Sequence, residues 1–177
     1  RTFDEILLAA TKITDLPEEQ HFASFALDLF EREIIQQGLE RISAADRTTL
    51  ENLSVIRKPF ESQAIHRMAE NEVVANSIKD RLSSFFFLER QGEKAFALHP
   101  IVREICKGKL ENDVKRFKSA HRQAAKYYTR HFAHNELKGR KHSEYFADAK
   151  YHLIYGEDFL GLHKITTIFG DSIRSQI

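Results

Sequence analysis

The chain has 177 residues, 42% of them apolar, with 27 Lys/Arg against 26 Asp/Glu and a formal net charge of +1. That length buries a core in one ordinary domain or two small ones. So even a charge gives no argument for nucleic acid, and no apolar run is long enough to span a bilayer. The single cysteine, Cys106, excludes an intramolecular disulfide and a cysteine-based zinc site, and it fits a soluble, cytoplasmic protein.

Residues 2–14 carry Phe3, Ile6, Leu7 and Ala10 at helical spacing, and residues 18–38 carry Phe22, Phe25, Ala26, Leu29 and Phe30. Asp15-Leu16-Pro17-Glu18-Glu19 between them reads as a helix end and restart, and Gly38 is expected to close the second helix. Ser43 or Asp46 is the expected N-cap of a helix over 43–57, which uses Leu50, Leu53 and Val55 or Ile56 and breaks at Lys58-Pro59. Short helices follow over 61–70, with Ala64, Ile65 and Met68, and over 73–84, with Val73 or Val74, Ile78 and Leu82. Phe85 to Leu98, with a turn at Gly92, reads as a two-stranded hairpin, and His99-Pro100 opens a helix running to about Leu110. Proline at the first helical position loses no hydrogen bond and has its φ already set, so His99 falls at the N-cap. Three short helices and a hairpin, joined by short loops, are the winged-helix order of elements.

A long helix over 112–134 then places Phe117, Ala120, Ala124, Tyr127, Tyr128 and Phe132 on one face. Lys115, Lys118, Arg122, Lys126 and Arg130 recur on another. Residues 135–141 read as a loop. A helix over 143–156 carries Tyr145, Phe146, Ala149, Tyr151, His152 and Leu153 and is stopped by Gly156; another starts near Asp158 with Leu160, Leu162, Ile165 and Ile168. Consecutive antiparallel helices that cannot each bury a face alone point to the start of a helical repeat array. The expected fold is mainly α.

Charge is uneven along the chain: residues 1–54 hold five Lys/Arg and eleven Asp/Glu, net −6, whereas residues 103–131 hold nine and three, net +6. Such segments attract each other or different partners. The basic residues of 115–130 read either as a solvated helix face or as contacts to an anion or a partner. His99 reads either as a packed hairpin-to-helix cap or as a functional group. In DNA-binding winged helices the element corresponding to 73–84 enters the major groove. Here Asn76, Lys79 and Arg81 are mixed with Glu72 and Asp80, and acids oppose phosphate, so nucleic acid is not the expected partner. His121, His131, His134 and His142 follow no zinc pattern, Cys106 reads as a small core residue, and Ser83 and Ser84 lack a nucleophile elbow. No Gly-x-x-x-x-Gly-Lys-Ser/Thr loop is present, so the chain is not expected to be an enzyme by itself.

Three segments, Leu53-Ser54-Val55-Ile56-Arg57-Lys58-Pro59-Phe60, Leu82-Ser83-Ser84-Phe85 and Phe96-Ala97-Leu98-His99-Pro100-Ile101-Val102-Arg103-Glu104, occur in an order that resembles the winged-helix region of STAND-class (NB-ARC/AP-ATPase-like) signalling NTPases. These include plant disease-resistance receptors, apoptosome scaffolds and bacterial regulators. Ala120 to Tyr128 and Tyr151 to Asp158 are similar to the first helices of the tetratricopeptide-like arm in the bacterial members, so the resemblance covers residues 43–160. It implies closing helices of an upstream helical subdomain over 1–42, a winged helix over 43–110 and a repeat arm over 111–177. The chain, which starts at Arg1 without a methionine, would be a piece of a longer ATPase that uses ADP or ATP with Mg²⁺. That ATPase domain, upstream in the same chain, is the first expected partner, followed by a ligand or protein on the arm and a nucleotide-driven homo-oligomer. His99 would sense the β-phosphate of ADP and lock a closed state; Pro100 stands where other branches carry Asp. The alternatives from other classes are a winged-helix nucleic-acid regulator and a helical-repeat interaction scaffold.

Overall fold

A computed structural model describes residues 19–69, 75–133 and 140–174. The helix expected over 2–14 and most of the loop expected over 135–141 lie outside them. Contacts divide the chain into two compact units, Arg1–Ser43 and Ala44–Ile177. In the first, α1 (Glu19–Arg41) runs straight through Gly38. A helical glycine costs only about 1 kcal/mol against alanine, too little to stop a helix that keeps its hydrogen-bond ladder.

The second unit comprises α2 (Ala44–Leu53), β1 (Phe60–Glu61), α3 (Ser62–Met68), α4 (Ala75–Ser84), β2 (Leu88–Gln91), β3 (Ala95–Leu98), α5 (Pro100–Glu111), α6 (Val114–Ala133), α7 (Arg140–Tyr155) and α8 (Phe159–Arg174). The protein is therefore mainly helical, with one small antiparallel sheet among the described residues, in the order β1-β3-β2. In the hairpin Leu88 faces Leu98 and Gln91 faces Ala95, while β1 lies on the other side of β3 with Phe60 opposite Phe96. Strand β1 was not expected. It is too short for an alternating pattern to register, and it follows Pro59, a residue type that biases its predecessor to extended backbone.

Helix α2 stops at Leu53, four residues short of the expected end. Val55 and Ile56 continue the apolar spacing but are buried in the turn that follows, where the Ile56 N–H donates to the Leu53 carbonyl at 2.9 Å. Leu50, Leu53, Ile56, Phe60, Ile65 and Leu82 are among the fully buried side chains of this unit. The buried Asn52 side chain donates to the Met68 carbonyl at 2.9 Å, tying α2 to the end of α3. Helix α6 is capped by Asp113, whose Oδ1 accepts the Arg116 N–H at 3.1 Å, and α8 by Asp158, whose Oδ1 accepts the Gly161 N–H at 2.8 Å.

Among the described residues, two helices end in a left-handed residue that is not glycine. At the end of α4 the Phe87 N–H reaches the Leu82 carbonyl and the Phe86 N–H reaches that of Ser83, both at 3.1 Å, with Phe86 at φ 59°. At the end of α7 the Asp158 N–H reaches Leu153 and the Glu157 N–H reaches Ile154, with Glu157 at φ 51°. Both are Schellman closures, which favour glycine at that position because a Cβ is strained there. Helix α7 does stop at Tyr155, directly before Gly156 as expected, with the left-handed position taken by Glu157 rather than by Gly156. A Cβ on it would lie 2.9 Å from Arg122 Cγ and 3.2 Å from Arg122 N, so its smallness lets α6 approach the end of α7. Phe86, being 82% exposed, has little packing to lose, and Phe86→Gly is expected to stabilise the protein by about 0.5–1 kcal/mol in urea unfolding. A destabilised variant would mean that the Phe86 ring holds the hairpin.

Helices α6 and α7 pack through fully buried Ala120, Ala124 and Ala149, the small residues that let two helices come close. The α2–β1 loop is joined to α7 at two points. The Arg57 guanidinium lies 3.8 Å above the Tyr151 ring, and Lys58 Nζ is 2.9 Å from Asp148 Oδ2. Arg116 of α6 pairs with the buried Glu51 of α2 at 2.6 Å, one contact through which the basic and acidic segments meet.

Candidate functional site

His99 stands where β3 gives way to α5, at the N-cap position with φ −49° and ψ 134°, and Pro100 begins the helix. Its N–H donates to the Phe87 carbonyl at 3.1 Å and its carbonyl accepts the Arg103 N–H at 2.9 Å. The backbone is thus held from the hairpin side and from the helix side, and the side chain makes no capping bond. The ring, 22% exposed, brings Nε2 to 3.7 Å from Glu89 Oε1 on β2.

Arg103 follows four residues later on the same face of α5. Its terminal nitrogen donates to the Arg57 carbonyl at 3.4 Å. Burial pulls this guanidinium below the ordinary arginine value, while Tyr128 and Glu89 act in the opposite direction. His99 and Glu89 therefore face each other at the end of the hairpin, with Arg103 near enough to feel the Glu89 charge. The signal for Arg103 was its i, i+4 spacing from His99; its connection to Arg57 depends on how the loop folds back.

Lys115, Lys118, Arg122, Lys126 and Arg130 of α6 do not act as one surface. Lys118 Nζ pairs with Glu157 at 2.8 Å, and Arg122 Nε donates to the Gly156 carbonyl at 2.7 Å, so both hold the end of α7. Lys115 and Lys126 are exposed, and Arg130 lines a pocket with residues of α3. On α4, Arg81 makes a two-pronged pair with Asp46, at 3.0 and 2.7 Å, and the Asp46 side chain is 2% exposed.

Inside the α6–α7 contact lies a feature the sequence did not disclose. His121 and His152, both buried, place their Nδ1 atoms 3.0 Å apart. One ring must donate and the other accept, so they carry opposite tautomers. His152 stacks on Tyr128 at 5.3 Å between centroids, and His121 on Tyr155 at 5.2 Å. Burial pulls both imidazoles well below the ordinary histidine value of 6.5, and the nearby Arg57 charge acts in the same direction. Cys106 is buried as expected, and desolvation pushes its thiol up to about 12, which leaves it unreactive. Among the described residues no helix is long and apolar enough to cross a membrane. No protein-family model, curated protein or solved structure matches the chain.

Proposed function

We propose that this chain is the regulatory centre of a STAND-class signalling NTPase, a winged helix over 43–110 fused to the start of a tetratricopeptide-like arm over 111–177. The observation that carries the reading is the position of His99: last residue of a hairpin, fixed by backbone bonds on both sides, opening a helix with proline. The order of elements α2-β1-α3-α4-β2-β3 and the sheet order β1-β3-β2 support the winged-helix part.

In this reading the chain supplies regulation and the catalytic residues lie upstream. The ring of His99 has an edge at the surface, which suits a group meant to meet a phosphate on another domain. Glu89 lies next to Nε2, so a phosphate arriving there displaces that carboxylate or draws the ring away from it. The junctions at Arg57–Tyr151 and Lys58–Asp148 make the winged helix and the arm one lever, so a nucleotide-dependent rotation of the first carries the second. The nucleic-acid alternative is weakened by Arg81, committed to Asp46, and by the exposed acid Asp80 on the same helix.

The test is calorimetric titration of ADP and ATP into the protein together with its upstream ATPase region, wild type beside His99→Ala. Loss of one charge-assisted hydrogen bond is expected to weaken ADP by about tenfold and leave ATP nearly unchanged. Equal effects on both nucleotides, or no binding by the wild type, would remove the sensor reading.

A further inference from the structure

Between α3 and α6 the surface opens into a pocket of about 310 Å³ lined by Gln63, His66 and Arg67 from the first helix and Tyr127 and Arg130 from the second. Gln63 and Arg67 are one helical turn apart, as are Tyr127 and Arg130, so each helix contributes a pair from one face. Tyr127 is buried, and its Oη accepts the N–H of Glu61, the residue just before α3, at 3.2 Å. That bond joins the two walls at the pocket's edge.

Among the described residues the lining holds two guanidinium groups and an imidazole and no carboxylate. Neither Arg67 nor Arg130 pairs with an acid among the described residues. Other arginines of this unit differ: Arg81 and Arg116 each hold a buried carboxylate. Cations gathered in a concave site repel one another and raise the local concentration of anions. The planar fork of an arginine matches a phosphate with two parallel hydrogen bonds, and two forks from different helices define where the phosphate sits. The volume is at the lower end of small-molecule sites, enough for a phosphate and a compact organic group.

We propose that this pocket binds a small phosphomonoester, its phosphate held between Arg67 and Arg130 and its organic part against Gln63, His66 and the Tyr127 ring. Because the walls belong to α3 and α6, the bound ligand cross-links the two helices. The site lies outside the nucleotide-switch reading and does not depend on it.

The experiment is calorimetric titration of phenyl phosphate into the 177-residue chain in phosphate-free buffer at about 150 mM salt, where diffuse surface attraction is screened. Saturable binding at one site is expected, reduced about tenfold or more by Arg67→Ala and by Arg130→Ala, and only partly by Arg130→Lys. Lys115→Ala, on the exposed part of α6, is expected to leave it unchanged. Absence of saturable binding overturns the proposal, as does an equal loss in Lys115→Ala. A phosphoserine peptide binding more tightly than phenyl phosphate overturns the small-molecule source.

Discussion

Between pH 7.5 and 4.5 the protein is expected to lose stability steeply, and His152→Gln is expected to lose it less steeply. His121 and His152 are neutral in the folded protein well below pH 6.5, whereas in the unfolded chain they take up protons as the pH falls through that value. The unfolded state then binds more protons than the folded one. Stability from this pair is complete above pH 6.5 and declines as the pH falls toward the depressed folded values. Each histidine held neutral contributes a slope of up to about 1.4 kcal/mol per pH unit over that range. A second proton on the pair would set two N–H groups face to face across 3.0 Å in a site lined by Tyr128, Tyr151, Tyr155 and Phe117. Glutamine at 152 keeps a hydrogen-bonding side chain and does not titrate, so one proton's worth of slope disappears. Urea unfolding of both proteins over the pH series decides it; parallel slopes would mean that His152 protonates freely in the folded state.

The second large effect falls on the strand that the sequence did not disclose. Phe60, 1% exposed, pairs with Phe96 and is the sole apolar anchor of β1 against β3. Phe60→Ala is expected to cost about 3–5 kcal/mol, the usual penalty for emptying an aromatic site in a close-packed core. The loss is expected to be local as well as global, with amide protection falling first in 88–98, because the hairpin then has one free edge more. Lys94→Ala in the exposed hairpin turn serves as the control and should stay within about 0.5 kcal/mol of wild type. A cost for Phe60→Ala no larger than that control would mean that β1 is not part of the core.

These two cases mark where the sequence was legible. Helices with strong punctuation were read within a few residues: Pro100 sets the start of α5, and the apolar spacing of 117–132 locates α6. Termini without such signals moved. Gly38 is passed over because its cost is small, and α2 stops at Leu53 although the apolar spacing runs on to Ile56. Pairings between elements were the least accessible. His121 and His152 are 31 residues apart, and nothing in either helix alone says that their register puts both rings at one height. The same limit applies to the basic stripe on α6, which periodicity presents as one face. Once α7 packs alongside, Lys118 and Arg122 hold its end, and Arg130 joins Arg67 of α3 at the pocket.

The proposed function makes the hairpin a nucleotide lock and the rest of Ala44–Ile177 a lever that moves as one piece. Hydrogen exchange on the protein with its ATPase region, in ADP and in ATP, measures both properties together. The account predicts that backbone amides from β2 to the first turn of α5 are more protected in ADP than in ATP. It also predicts that amides around His121 in α6 and His152 in α7 exchange at the same rate in either nucleotide. Exchange that changes across α6 and α7 while the hairpin stays constant would contradict it, because the arm would then bend within itself and His99 would have no part in the nucleotide response.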